Sequence, residues 1–288
     1  MSVVVAATAA IGGGVAVSAT RHRVQSAAVV PLDHFLCYTA KAVPSTPIPK
    51  PFSDAAAAVS LQNTIYPAGV LAAVGLVTVH CNPVAKSIVT AAGTTTYPIN
   101  EPASHLVCWT TKPNRQTPPL LRAYIVANQF GQATVTPGVM QNVCLPSFKD
   151  ENSPANLPPG PDAQPNDLNH FACFTVANSG TFTAPGVVKL ADQFVGAGTP
   201  LTVKIGKPKF LCLPTLKIVD PASPPTPLVD NGTLDSLLCV NITVSKATPA
   251  SVPKVVYAEN QFGAGAVDAL RAANLCLPSS ALPGPAGG

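Results

Sequence analysis

The sequence predicts an all-β protein: four small disulfide-stapled β-rich repeats, sandwich-like or barrel-like, set in tandem behind an N-terminal strand extension. Three observations predict it. A pair of cysteine-centred motifs recurs four times along 288 residues. Pro and Gly supply 32 and 20 residues, too few for collagen or a low-complexity coil but enough for frequent turns. Short β-branched or aromatic runs such as Ala123–Ala127, Val187–Ala191 and Lys254–Ala258 end at Asn or Asp followed by turn residues, the signature of a strand that runs into a turn.

The first motif is a short strand with one Cys: Asp33–Tyr38 (DHFLCY), Ser104–Trp109 (SHLVCW), Asn169–Phe174 (NHFACF) and Asp235–Val240 (DSLLCV). On such a strand Phe35 and Cys37 point one way while His34, Leu36 and Tyr38 point the other. The second motif is Cys144-Leu145-Pro146-Ser147, Cys212-Leu213-Pro214-Thr215 and Cys276-Leu277-Pro278-Ser279, decayed to Cys81-Asn82-Pro83 in the first unit. Between them lies Asn128-Gln129-Phe130, Asp192-Gln193-Phe194 or Asn260-Gln261-Phe262, with only Leu61-Gln62-Asn63 in the first unit.

All eight cysteines belong to this pattern, separated by 44, 36, 39 and 37 residues within units and by 27, 29 and 27 between them. An even count without a CxxC pair reads as a disulfide framework in an oxidising, extracellular or cell-surface compartment. Pairing within units (Cys37–Cys81, Cys108–Cys144, Cys173–Cys212, Cys239–Cys276) is the simplest scheme that leaves none over. A shifted scheme joins Cys81–Cys108, Cys144–Cys173 and Cys212–Cys239, leaving Cys37 and Cys276 for neighbouring subunits. Each closed loop is worth ~3–4 kcal/mol in the chain-entropy treatment, help that a unit of this size needs.

The expected division is an extension over 1–32, repeats over 33–90, 104–149, 169–217 and 235–283, Pro-rich linkers over 150–168 and 218–234, and a tail over 284–288. The DHFxCY, DQFG and LCLP combination resembles an uncharacterised disulfide-bearing repeat of secreted bacterial proteins. The resemblance covers about residues 33–283 and implies an extracellular β-rich protein without implying any activity.

Residues 1–20 carry no charged side chain. As a signal peptide the segment lacks a basic n-region, although Val17-Ser18-Ala19 would serve as a cleavage site. As a membrane helix it is broken by Gly12-Gly13-Gly14 and is barely long enough, so no bilayer span is expected. The favoured reading is a pair of strands around the glycines. Val3, Val4, Val5, Ile11, Val15 and Val17 would then add to a sheet edge, either of the same molecule or of the next copy. Donated to the next copy, the strand makes a filament. A chain with only 10% charged residues permits such close association.

Other chemistries find little support. A net charge of +4 without a basic run argues against nucleic acid. His34, His105 and His170 each precede a Cys by three, positions that face opposite sides of a strand and so cannot serve one metal ion. Their expected role is structural, and no cofactor or metal is expected. The Asn/Asp-Gln-Phe motif is read as an anchoring Phe with an Asx side chain capping its own turn, against the alternative of a repeated ligand platform. No general acid/base pair or catalytic motif is present, so an enzyme is not expected. Asn231 and Asn241 fit the glycosylation acceptor pattern. The expected function is an extracellular structural protein that assembles with copies of itself. The alternative is a secreted carbohydrate- or protein-binding module, an adhesin-like reading that uses Tyr38, Trp109 and Phe174 and extends to surface glycans.

Overall fold

The computed structural model describes residues 31–117, 119–158, 165, 167–177, 182–184, 186–195, 198–218, 228–229, 232–245 and 254–284. The proposed assembly residues Val3 to Val17 and the acceptor Asn231 lie outside them. The described residues form fifteen strands and one 3-10 turn at Pro154–Asn156, and no helix among them is long and apolar enough to cross a membrane.

Each sequence unit contributes three strands. The Cys motif strand comes first: β1 (Phe35–Val43), β6 (His105–Pro113), β9 (Phe171–Ala177) and β13 (Ser236–Val244). A short strand follows: β2 (Ala58–Gln62), β7 (Tyr124–Asn128), β10 (Val187–Ala191) and β14 (Lys254–Asn260). A long strand carrying the second Cys completes the unit: β3 (Val70–Pro83), β8 (Gly131–Asp150), β11 (Leu201–Pro214) and β15 (Gly263–Pro283). Unit one adds the hairpin β4 (Ala85–Thr90) and β5 (Gly93–Tyr97), and unit three adds β12 (Leu216–Ile218).

The all-β class is as expected, but the tandem arrangement of small units is not what the sheet forms. The ladders run β1–β3–β6–β8–β9–β11–β13–β15 and return from β15 to β1, every pair antiparallel. That is a closed eight-stranded barrel to which each unit gives two staves, and closure leaves no barrel edge unpaired. A 45-residue unit buries too little apolar surface to stand alone; here the units share one interior.

The alternation of side chains sorts the two cores. Inward, Phe35, Leu106, Phe171 and Leu237 form one layer with all eight cysteines beneath them. Next come Val79, Asn142, Phe210 and Asn274, around a cavity of only about 30 Å3, room for roughly one water. Outward, Leu36, Tyr38, Val107, Trp109, Phe174 and Val240 pack under the short strands, against Val59, Val126, Val188 and Val256.

The short strands also tie opposite units together. Unit one's β4 pairs with unit three's β10, and unit three's β12 pairs with β2. The ends of β8 and β15 pair likewise with β14 and β7. Each long strand has register shifts at equivalent places six and three residues before its Cys, around Gly75, Gly138, Gly206 and Leu270. Such bulges raise local twist, which lets the strand pass from the outer layer into the barrel wall. A Cβ on Gly138 would lie 2.5 Å from Thr175 Oγ1 and one on Gly75 2.3 Å from Thr110 Oγ1, so the close approach requires glycine.

Candidate functional site

The cysteines pair within units, Cys37–Cys81, Cys108–Cys144, Cys173–Cys212 and Cys239–Cys276, and no cysteine is free. In every case the partners are directly opposite in the ladder. The shifted scheme is therefore not adopted. Closure nevertheless brings its partners near: Cys276 Sγ lies 3.5 Å from Cys37 Sγ, Cys144 Sγ 3.7 Å from Cys173 Sγ, and Cys212 Sγ 3.9 Å from Cys239 Sγ. The disulfides thus run around the barrel, end to end, as its central layer.

The Asx-turn expectation holds in the three units that carry the motif, and unit one forms the same turn at Asn63. The backbone N–H of Ile65, Phe130, Phe194 and Phe262 donates to the side chain of Asn63, Asn128, Asp192 and Asn260, two residues back. The same side chains reach the opposite unit. Asn63, Asn128 and Asn260 Nδ2 donate to Thr215 Oγ1 (3.2 Å), Ser279 Oγ (3.1 Å) and Ser147 Oγ (2.9 Å). Those hydroxyls stand three residues after their Cys. Unit one has Val84 at that place, and the pattern adapts: Asp192 replaces Asn and accepts from Asn82 Nδ2 at 2.9 Å and Tyr38 OH at 2.9 Å.

Neighbouring units meet through a second constellation, at the junctions between successive units. A lysine five residues after the second Cys flanks the Gln-Phe turn of the following unit at three junctions, joined at the first and third by the histidine three residues before the first Cys. At the first junction His34 contacts the Gln129 amide, and Lys86 Nζ lies 4.3 Å from the Tyr97 ring centre and 4.7 Å from that of Phe130. At the second, Lys149 Nζ lies 4.4 Å over Phe194 and 3.2 Å from Glu151, while Gln193 Nε2 donates to the Pro102 carbonyl. At the third, Lys217 Nζ donates to Gln261 Oε1 and lies 5.0 Å over Phe262; His170 adjoins both Gln261 and Lys217. The junction that closes the ring, from unit four to unit one, has Ser236, Ala281, Thr64 and Ile65 at the corresponding places. All four members are absent there together.

The three recurrent lysines escaped the sequence reading, although their spacing from Cys81, Cys144 and Cys212 repeats. A lysine normally signals surface, and only the fold shows Lys86, Lys149 and Lys217 with their side chains inside. Burial holds Lys86 down to about 7 and Lys149 below the usual lysine range. Burial, with the adjacent lysine charge, holds His34 and His170 near 3. His80 falls to about 3, and His105 well below its ordinary value, for the same reasons. Because Asn82 Nδ2 donates to Asp192, its Oδ1 accepts from both His80 Nε2 (2.9 Å) and His105 Nδ1 (3.1 Å). That fixes one tautomer for each neutral ring. Asp192, raised by burial, completes a buried polar cluster in which His80 Nδ1 has no hydrogen-bond partner among the described residues.

Tyr38, Trp109 and Phe174 are 1%, 2% and 0% exposed. They belong to the outer core, with Trp109 edge-on to Phe52 and Phe262, and are not the open binding platform envisaged from sequence. The broader described concavities hold few titratable groups, whereas a narrow one is lined by the three carboxylates Asp33, Glu101 and Asp167. One, about 830 Å3 and lined by Phe182, Val187, Thr202 and Pro208, holds Lys204 and Lys207 but no described carboxylate or imidazole. A second, about 220 Å3, opens at the barrel mouth above the disulfides, beside Gln141, Asn142, Lys209, Phe210 and Asn274. Asn241, the other glycosylation acceptor candidate, is exposed on β13. No family model, no curated protein and no solved structure matches the chain.

Proposed function

We propose that the protein is an extracellular structural subunit of a filament or surface layer, in which the N-terminal strand of one copy adds to a sheet edge of the next. Four internal disulfides fit an oxidising compartment. The observation that carries the reading is the free outer edge of β5. Among the described strands only β5 and the three-residue β12 end the sheet. β5 is almost fully exposed, pairs with β4 alone, and reads Gly-Thr-Thr-Thr-Tyr without a charge or proline to block addition. Such an edge is a template for strand pairing. The described chain begins beside it: Asp33 accepts from the backbone of Asn100 and Glu101, both at 2.8 Å, just beyond β5. An uncharged β-branched segment and an unguarded edge are complementary parts of one joint.

Electron microscopy and sedimentation of the whole chain beside a form lacking residues 1–20 test the reading. Filaments or layers from the whole chain and monomers from the shortened one are expected. Monomers from both would overturn it. The barrel-mouth cavity supports a second reading, a small-ligand binding module, because barrel mouths are common ligand sites and amide groups converge there.

A further inference from the structure

The open end of the barrel combines protruding aliphatic side chains with a rim of cations. Thr78, Gln141, Lys209 and Ala273, each three residues before the second Cys of its unit, line the mouth cavity together. Two residues earlier, at the bulges, stand Leu76, Val139, Lys207 and Arg271, all exposed. The bulges leave the first three of these out of the ladder. Leu76 and Val139 are 79% and 70% exposed, more than any other large hydrophobic side chain described. On the first strands, Thr39 and Thr110 line the same mouth. Lys41 and Lys112, two residues on, face the same way by strand alternation and are exposed.

The charge is one-sided along the barrel. Lys41, Lys112, Lys207, Lys209 and Arg271 surround the mouth, and the carboxylates on the eight barrel strands are only Asp268, 3.5 Å from Lys41, and Asp150, at the far end of β8. The acidic groups gather at the opposite end, where Asp33, Glu101 and Asp167, which precede β1, β6 and β9, line a narrow cavity. Aliphatic tips among cations match the layering of a lipid surface: the tips enter the acyl boundary while the amines stay at the headgroups. We propose that the barrel mouth docks on an anionic lipid bilayer, with Leu76 and Val139 entering the interface and Lys112, Lys207, Lys209 and Arg271 at the headgroup phosphates.

Other occupants fit less well. A soluble polyanion would use the cations but not the aliphatic tips. The acidic end of a second copy has its carboxylates engaged at home: Asp33 is buried and accepts from Asn100 and Glu101, and both oxygens of Asp167 accept from Ser104.

Flotation of the full chain with lipid vesicles tests the proposal, and floating does not require assembly, so its outcome is separate from that of the strand-donation test. The protein should rise with vesicles of mixed phosphatidylglycerol and phosphatidylcholine and stay behind with phosphatidylcholine alone. Lys207→Gln with Lys209→Gln and Arg271→Gln is expected to weaken binding about a hundredfold. Leu76→Ser with Val139→Ser should abolish it at an unchanged melting temperature, because both side chains are already exposed. Failure to float with the mixed vesicles would overturn the proposal, as would equal binding to phosphatidylcholine alone or binding that survives either set of changes. Retention on heparin by a chain that ignores vesicles would overturn it in favour of an acidic polymer. Loss of self-assembly in the rim variants of a chain that does not float would overturn it in favour of a second copy.

Discussion

Lys86 places an amine where no described side chain accepts its hydrogen bonds, over the faces of Tyr97 and Phe130. Burying an unpaired amine is unfavourable, and an apolar residue of the same length removes that cost. Lys86→Met is therefore expected to stabilise the protein by ~1–3 kcal/mol. The sign of the pH dependence is fixed by Lys86 lying near 7 when folded against 10.5 when unfolded. Its contribution is favourable above 10.5 and is lost as pH falls to about 7, so the advantage of the variant in Tm should widen over that interval. An advantage that stays constant from pH 10 to 7 would contradict the assignment. The histidines act in the same direction at lower pH. His34, His80 and His170 fall from 6.5 to about 3 on folding. Unfolded chains then bind more protons below 6.5, and stability drops as pH falls toward 3. Glu259, raised to about 7 by burial, and Asp33 and Asp192, raised for the same reason, oppose this, but four imidazoles, His105 included, are held down against these three carboxyls. A melting temperature that declines between pH 6.5 and 4 is expected in a calorimetric series.

At the scale of the element, the long strands carry the design. Each serves an outer hairpin, then a bulge, then the barrel wall, and the glycine at the bulge permits the approach of the neighbouring stave. Gly138→Ala should destabilise by ~1–3 kcal/mol, as overpacking does, because the new Cβ meets Thr175 Oγ1. Adding Thr175→Ala should recover much of the loss, whereas Thr175→Ala alone should not mimic it; urea melts of the three variants decide. Leu270 at the equivalent place in unit four shows that the bulge itself does not depend on glycine.

For the whole molecule, closure makes the four units one cooperative body. Scanning calorimetry should give a single transition with equal calorimetric and van't Hoff enthalpies; four or two separable transitions would point to independent units. Removing one staple, as Cys239→Ala with Cys276→Ala, is expected to cost about 2–5 kcal/mol and to lower that single transition rather than detach unit four.

The sequence by itself determined what depends on local chemistry and repetition. Strand class follows from the β-branched runs and their turn residues, membership of all eight cysteines in a disulfide framework from their recurrence, and the Asx turns from Asn and Asp beside Phe. Each of these is written in a few consecutive residues or in a period. Which of two pairing schemes the cysteines use was decided by the structure. The tertiary structure alone decided which strands meet. Ladders between units depend on hydrogen-bond partners dozens of residues apart, and no local pattern states whether a sheet stays open or closes. Closure in turn changed the meaning of side chains. Tyr38, Trp109 and Phe174, legible as aromatic but not as facing inward or outward, became core once the outer strands lay over them. Lys86, Lys149 and Lys217, surface residues by composition, became interior groups because the Phe of the following unit lies over each.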